Sequence, residues 1–335
     1  MRFFTLIFYI ISMTICIHFI FGYYYEQFSY FTQQKQYVTI SLFTIKQAGL
    51  GNCFFELLAL LGVADSTNRI AFVNSNDSKL TDKFKSRFKE NFPNLYEKFE
   101  LRNIEKDELR MVGFHGHCCK YTNPRIVRKI PDENLYLKGS YFQSYLYFDH
   151  LHEKVREWLT PAKKFMDLAD SFIKPHQADR FKICVHTRRG DFAPGKMHSP
   201  TNLNFTIPAI KFLLSEYDYD HHNNIMLVLI GNDEKFEKSI GDKFKNTEKV
   251  ILPKSDPEKD LAFSIKYCDV VLITAPSSTF GWWLGYLSKT GNLVYYEDIL
   301  ETADKVAQQM YQQDFYPKHW IKLVTNNKTG SVNKL

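Results

Sequence analysis

The chain has 335 residues, of which 44% are hydrophobic and 24% are charged, so it can bury one large core or two domains of ordinary size. Its net charge of +6 comes from 43 basic and 37 acidic residues, which are spread along the chain rather than gathered in a stripe. This distribution argues against a nucleic-acid-binding surface and favours at most a local basic site for a phosphate-bearing small molecule.

The N-terminal segment predicts a membrane helix. Residues 3–22 are almost wholly apolar, long enough to span a bilayer, and are followed by three tyrosines suited to the interface. Arg2 favours a cytoplasmic N-terminus. No small-residue cleavage pattern is evident, so we expect an uncleaved signal anchor over residues 1–22 and a stem over 23–37, with a cleaved signal peptide as the alternative. Either reading places the body of the chain in the secretory pathway.

Cysteines and glycosylation triplets agree with a luminal location. Cys16 lies in the membrane segment and five cysteines follow it, so disulfides are permitted and their connectivity stays open. We expect Cys118 or Cys119 to be in a disulfide rather than in a metal site, because no regular zinc-ligand spacing accompanies the nearby histidines. The N-glycosylation triplets begin at Asn76, Asn204 and Asn327.

The first half of the chain predicts a βαβ unit followed by helices. In chain order the predicted elements are a strand at 38–43, a glycine turn at 49–52, a helix at 53–64, a strand at 70–73, and helical stretches at 79–110 and 151–173. A junction between two domains is predicted near Lys174-Pro175, which gives an N-terminal α/β domain over 38–175.

The second half repeats the alternation of strands and helices. Strands are predicted at 181–185, 225–230, 250–252 and 270–274, and helices at 208–216, 257–267 and 280–287. Such alternation is typical of parallel sheets with helices on both faces. We therefore expect two Rossmann-like domains that face each other across a cleft, the second over residues 176–335. Phe280, Trp282 and Trp283 are expected to be core residues rather than a platform for sugar.

The most informative motif follows the strand at 181–185 and contains two adjacent arginines, Arg188 and Arg189. Ligands of open α/β sheets bind beyond the carboxyl ends of the strands, and guanidinium groups match phosphate oxygens. Because adjacent side chains diverge, one arginine is expected to meet the ligand while the other anchors the loop on a carboxylate such as Asp191. A surface salt-bridge pair and a chance adhesion triplet, Arg189-Gly190-Asp191, are the alternatives.

Two further segments can bring backbone or hydroxyl groups to an anion. Gly49-Leu50-Gly51-Asn52 precedes a helix, whose N-terminus favours anions, although the segment taken alone favours a tight left-handed turn. It lacks the full dinucleotide fingerprint and the lysine of a P-loop. Ser277, Ser278 and Thr279 can cap the next helix, donate to phosphate, or do both.

Taken in order, these three segments resemble the α-1,2-fucosyltransferases of glycosyltransferase family 11. The resemblance continues through residues 141–144, 260–268 and 315–320, and so covers nearly all of the chain beyond the stem. It implies two Rossmann-like domains of the GT-B type, GDP-fucose as donor, inversion at the anomeric carbon, no required metal or other cofactor, and a single-pass type II location in the Golgi membrane. The implied acceptor is the 2-hydroxyl of galactose in a glycan.

The resemblance also implies roles for individual residues. Arg188 would hold the β-phosphate, with His186 and Arg189 supporting that loop, and Asp233 would read the nucleoside. The remaining donor-binding residues would be Gly49, Gly51, Asn52, Ser277, Ser278 and Thr279. His186, Asp191 and Glu56 are candidates for the general base, and Asp191 is favoured instead as the anchor of Arg189.

The chain departs from the family pattern at three positions. Cys53 stands where glutamine is usual, and Thr187 and Phe192 replace the commoner valine and tyrosine. These changes are compatible with the donor site and leave the acceptor open, so one alternative is a fucosyltransferase of different linkage or acceptor. Cys53 also permits a second alternative, an inactive relative that binds glycans.

Overall fold

The computed structural model describes residues 35–114, 118–192, 197–221, 224–254, 256–326 and 328–335, together with 13–14 and 17–18. The predicted anchor and stem fall almost entirely outside these ranges, as do Asn327 and the histidines at 115, 117 and 222. Asn76 and Asn204, which begin the other two glycosylation triplets, are both exposed.

The first sheet has five parallel strands in the order β3-β2-β1-β5-β4. They are Tyr37–Ile40 (β1), Ile70–Asn74 (β2), Glu100–Arg102 (β3), Arg110–Gly113 (β4) and Asn134–Lys138 (β5). The helices of this half are Phe43–Gln47 (α1), Leu50–Thr67 (α2), Ser78–Phe88 (α3), Pro93–Tyr96 (α4), His152–Trp158 (α5) and Lys163–Asp170 (α6). The predicted βαβ unit is confirmed as β1, α2 and β2.

The predicted helix over 79–110 is wrong beyond Phe88. The stretch after it contains α4, β3 and the start of β4. The two strands are the edges of the sheet and are largely exposed or half-buried, so their sequences lack the apolar pattern that marks a buried strand. The predicted helical stretch at 151–173 is divided into α5 and α6 around Pro161, which has no backbone N–H to donate.

The second sheet has seven strands in the order β12-β11-β10-β9-β6-β7-β8, all parallel except β11 with β12. They are Phe181–His186 (β6), Ile225–Ile230 (β7), Glu248–Ile251 (β8), Val270–Ile273 (β9), Val294–Glu297 (β10), Ile321–Thr325 (β11) and Val332–Lys334 (β12). The helices are Leu203–His221 (α7), Glu234–Gly241 (α8), Pro257–Tyr267 (α9), Thr279–Tyr286 (α10) and Gln312–Phe315 (α11). The expected α/β fold with parallel sheets is confirmed, and the sequence interpretation missed β3, β4, β5 and β10 to β12.

Short 3-10 helices complete the described part of the chain. They are Lys106–Glu108, Pro124–Val127, Tyr145–Tyr147, Asp149–Leu151, Pro175–Gln177, Ile299–Glu301 and Lys305–Gln308.

An aromatic cluster joins the two sheets. Phe55 of α2 packs on Trp282 and Trp283 of α10, with ring centroids 4.7 and 5.0 Å apart. The indole of Trp283 also donates to the carbonyl of Gly51 at 2.9 Å. Both tryptophans are fully buried, which confirms them as core residues. The sheets lie on either side of residue 175 in sequence, and the division into two domains there stays a prediction.

Helix α2 is long and apolar enough to cross a membrane, and it is the one such helix in the part of the chain that the structure describes. Of its 18 residues, 78% are buried inside the protein, where the helix packs against β1 and α10. It is therefore the central core helix of the first half.

Four of the five cysteines beyond the stem are paired. Cys184 of β6 is bonded to Cys268, which caps α9, and Cys118 is bonded to Cys119. Cys53 on α2 is buried and free.

Candidate active site

A cavity of about 580 Å³ lies where the carboxyl ends of strands from both sheets meet. The loops that follow β4, β5, β6, β7, β8 and β9 all contribute to its wall. The predicted site residues that line it are Gly49, Gly51, Asn52, His186, Arg188, Asp191, Ser277, Ser278 and Thr279. Arg189 and Asp233 do not line it.

Three helices begin at this cavity. Gly49 precedes α2, Pro257 begins α9 and Ser278 precedes α10, and all three residues line the wall. The first turn of a helix presents unpaired backbone N–H groups and a partial positive charge, so this arrangement favours an anionic ligand. Ser278 accepts from the backbone N–H of Gly281 at 3.2 Å, which is the predicted capping role.

The predicted left-handed turn at Gly49 is wrong, because this segment is the start of a helix. Gly49 has φ −69°, and α2 begins at the next residue. A Cβ on Gly51 would lie 2.6 Å from the backbone nitrogen of Phe280 and 2.8 Å from Thr279 Oγ1. Glycine is therefore required because α2 and α10 approach each other closely beside the cavity. Phe280, expected in the core, is half-buried and packs against the core, and it also lines the cavity wall.

The two arginines after β6 diverge as expected, but their carboxylate partners differ from the prediction. Arg188 pairs with Asp191 at 2.8 Å, while Arg189 faces Asp233 at 3.6 Å. Gly190 has φ +47°, which turns the chain so that residues 188 and 191 meet. Asp191 therefore anchors Arg188 and not Arg189. Asp233 also caps α8, accepting from Phe236 N at 3.2 Å.

Two candidates for the general base are poorly suited to that role. His186 is 2% exposed, and burial followed by the nearby Arg188 lowers its pKa to about 3, so it holds a proton weakly. Glu56 does not line the cavity and accepts from the backbone N–H and hydroxyl of Thr44 at 3.1 and 2.6 Å. Burial raises the pKa of Glu56 to about 7.

The sequence profile of glycosyl transferase family 11 matches residues 10–324 of this chain. The chain belongs to glycosyltransferase family 11. A galactoside 2-alpha-L-fucosyltransferase of Caenorhabditis elegans is 38% identical over 319 residues, which cover 88% of this chain and 79% of that protein. A second one from the same organism is 36% identical over 307 residues, covering 90% and 84%. These findings confirm the family resemblance.

A solved structure shares the fold of this family 11 chain. The crystal structure of POFUT1 in complex with GDP matches with a TM-score of 0.50 at 10% sequence identity. The match covers 79% of this chain and 98% of that one. At this identity the similarity concerns the fold alone.

Asp260, in the first turn of α9, has no assigned role in the sequence interpretation beyond belonging to a family landmark. It lines the cavity, and its Oδ1 atom is buried without a hydrogen-bond partner in the described part of the chain. Lys259 Nζ lies 3.6 Å from that oxygen. Burial raises the pKa of Asp260 to about 7. An unpartnered buried acceptor at a cavity wall suits a ligand that brings its own N–H donors.

A second group that the motifs did not indicate joins His198, Ser277 and Asp304. His198 Nδ1 lies 2.9 Å from Ser277 Oγ, and that hydroxyl donates to Asp304 Oδ2 at 2.5 Å. The three residues come from separate loops, 79 and 27 positions apart, so no local sequence pattern could reveal them. His198 and Ser277 both line the cavity.

No group of three or more His, Cys, Asp or Glu side chains suited to a metal ion occurs within the described ranges. The expectation that the reaction requires no metal stays a prediction.

Proposed function

We propose that this chain is an inverting fucosyltransferase that moves L-fucose from GDP-fucose to the 2-hydroxyl of galactose in a glycan. The observation that carries the proposal is the cavity itself, where Arg188 and three helix N-termini meet between the two sheets. The names of the C. elegans relatives support galactoside 2-fucosylation in particular.

The positive groups suit the leaving diphosphate. In the transition state, charge develops on the β-phosphate as its bond to the fucose carbon breaks, and groups that meet this charge accelerate the reaction. Arg188 would hold the β-phosphate, and the start of α10 with the hydroxyls of Ser278 and Thr279 would supply further donors. Ser277 lies on the same wall, but its hydroxyl proton is already donated to Asp304. Gly49, Gly51 and Asn52 form the facing wall, where Asn52 Oδ1 accepts from Gln143 at 2.7 Å.

For the nucleoside we propose Asp260 in place of Asp233. Guanine presents N–H donors on its pairing edge, which a buried carboxylate oxygen without a partner can accept. Asp233 lies off the cavity wall and already caps α8. Asp260 lies on the wall, and its buried Oδ1 has an ion-pair contact with Lys259 at 3.6 Å but no hydrogen bond in the described part of the chain.

We also propose a GT-B architecture, with a boundary between two Rossmann-like domains near residue 175, and a single-pass type II location in the Golgi membrane with the catalytic part in the lumen. The apolar segment over residues 3–22 supports the location, as do the exposed Asn76 and Asn204.

The alternative of an inactive glycan-binding relative rested on Cys53. Cys53 is buried, its thiol lies 3.1 Å from Arg87 Nη1, and it does not line the cavity. The departure at this position therefore leaves the cavity wall unchanged, which favours the enzymatic proposal.

The proposal is tested by measuring GDP release from GDP-fucose with and without a panel of β-galactosides, followed by linkage analysis of the products. We expect acceptor-dependent release and fucose on the 2-hydroxyl of galactose. A different linkage would replace the acceptor assignment, and absence of GDP binding would contradict the enzymatic proposal altogether.

A further inference from the structure

His198 is held at the cavity by two contacts. Its ring stacks on Phe192, with centroids 4.3 Å apart and planes 10° from parallel. Its Nδ1 atom is directed at Ser277 Oγ, 2.9 Å away, with Asp304 Oδ2 at 4.0 Å behind it. The side chain keeps 37% of its surface exposed while that of Asp304 is fully buried.

The hydrogen bonds define which nitrogen of His198 carries the proton. Asp304 also accepts from the backbone N–H groups of Ser199 at 3.0 Å and Val306 at 2.9 Å, so its carboxylate acts as an acceptor throughout. Ser277 has a single hydroxyl proton and donates it to Asp304. The same hydroxyl oxygen must then accept from His198, so the proton lies on Nδ1.

In this tautomer Nε2 carries a lone pair. Nδ1 is engaged by Ser277 and His198 lines the cavity, so Nε2 is the ring nitrogen available to a ligand there. No hydrogen-bond partner for Nε2 occurs among the side chains that the structure describes. An imidazole with an oriented free lone pair, backed by a buried carboxylate, has the arrangement of a general base.

We propose that Nε2 of His198 is the general base that takes the proton of the acceptor hydroxyl, with Ser277 and Asp304 holding the ring in that tautomer. This inference rests on the proposed fucosyl transfer.

The acceptor O–H bond breaks and its proton goes to Nε2, while the acceptor oxygen forms a bond to fucose C1. The C1–O bond to the β-phosphate breaks, and its electron pair leaves with GDP. The imidazolium that forms lies near the Asp304 carboxylate, which stabilises its charge through Ser277.

The other candidates lack this combination. Both oxygens of Asp191 are engaged, Oδ2 by Arg188 at 2.8 Å and Oδ1 by Asn232 at 3.3 Å. His186 is buried and has a strongly lowered pKa, and Glu56 is away from the wall.

The charges around His198 determine its pH dependence. Burial lowers its pKa below the ordinary value, against the opposing effect of the Asp304 and Asp191 carboxylates, and the Arg188 guanidinium adds to the lowering. A base must be neutral to act. The kcat/KM of transfer is therefore expected to fall as the pH drops through this pKa.

The experiment compares the wild type with His198→Gln, using His150→Gln as the matched control. His150 pairs with Asp65 at 3.0 Å and does not line the cavity. The kcat/KM for transfer to a β-galactoside is measured between about pH 5 and pH 8, and GDP affinity is measured by calorimetry. His198→Gln should lower kcat/KM by about 10²–10⁴-fold and keep its affinity for GDP. Its kcat/KM should no longer fall at acidic pH. The control should match the wild type.

Asp304→Asn tests whether Asp304 acts on His198 electrostatically, because a purely structural role would not change the pH at which kcat/KM falls. Removing the negative charge lowers the pKa of His198 further, so the acidic fall should shift to lower pH while kcat decreases. The shift, together with retained GDP affinity, supports the assignment.

If His198→Gln kept the fall in kcat/KM that the wild type shows at acidic pH, this inference alone would be overturned. It would also be overturned if kcat/KM of the wild type fell as the pH rises and His198→Gln lost its affinity for GDP, because His198 would then act as a cation that binds phosphate. A wild type that binds GDP but transfers no fucose would overturn the proposed function and this inference with it.

Discussion

Arg188 combines a place on the cavity wall with a tethered guanidinium. Its backbone N–H donates to Thr201 Oγ1 at 2.8 Å, and its side chain pairs with Asp191 at 2.8 Å. Its Nε atom is buried with no partner in the ranges that the structure describes. A charge held in advance where a diphosphate would bind requires little rearrangement during the reaction.

Arg188→Ala is expected to lower kcat by about 100-fold, or about 3 kcal/mol, because the leaving diphosphate loses its fixed positive partner. Arg188→Lys should recover only part of this, since ammonium lacks the planar fork. Arg189→Ala should have a smaller effect because that side chain faces Asp233, outside the cavity. Steady-state kinetics with circular dichroism as a folding check would measure this, and near-normal activity of Arg188→Ala contradicts the assignment.

Glu297 of β10 carries a stability prediction. Burial, with a further contribution from Glu301, raises the pKa of its carboxyl to about 8. The folded state therefore binds this proton more tightly than the unfolded state, and the associated stability is lost as pH rises from the ordinary value through the raised one. Glu297→Gln should increase the free energy of unfolding relative to wild type at about pH 9 and much less at about pH 4. Urea unfolding at both pH values measures the difference, and an equal difference at both would exclude this carboxyl as the source.

At the scale of elements, the site depends on the close approach of α2 and α10. Both helices begin at the cavity wall, and the Trp283 indole bonds to the Gly51 carbonyl between them. Gly51 permits the approach because its backbone lies directly against Thr279 and Phe280. A change in the spacing of these helices would displace wall residues of both sheets together.

Gly51→Ala is expected to lower stability by about 1–3 kcal/mol and to weaken GDP binding, because the added methyl group meets the backbone of Phe280 rather than a flexible side chain. Gly113→Ala is the matched control, since a Cβ there has nothing within 4 Å, and its change should stay within about 0.5 kcal/mol. Denaturant unfolding and GDP calorimetry test both variants. Equal changes in stability and GDP affinity in the two variants would show that α2 and α10 can move apart without a cost in free energy.

At the scale of the whole molecule, one hydrophobic core runs from the first sheet to the second. Phe55 contacts both tryptophans of α10, and the C-terminal segment returns to the first half, where Asp314 accepts from the backbone N–H of Tyr121 at 2.8 Å. Shared burial of this kind couples the two halves energetically, so we expect them to unfold together.

Phe55→Ala should cost about 3–5 kcal/mol while unfolding remains a single transition. Leu300→Ala, at a residue that is 66% exposed, should change stability by less than about 0.5 kcal/mol. Tryptophan fluorescence reports on Trp158 in the first half and on Trp282, Trp283 and Trp320 in the second, and circular dichroism reports on both sheets. Separate midpoints by the two methods would mean that the halves unfold independently.

The sequence alone was enough to predict the buried elements and the loops that line the cavity. Strand β7 is apolar at all six positions because both of its faces are covered, and its predicted bounds match the structure. The loop with Arg188 and the hydroxyls at 277–279 stood out because they follow such strands. The half-exposed strands β3 and β4, at the sheet edges, carry no comparable signal.

How these loops act together depends on the way the two sheets pack. The pairing of Arg188 with Asp191 follows from the left-handed backbone of Gly190, which no spacing rule specifies. The relay from His198 through Ser277 to Asp304 exists because loops from distant parts of the chain end at one cavity. Local sequence records which side chains each loop carries, but the packing of the two sheets sets the distances between them, and hydrogen bonds and proton transfer depend on those distances.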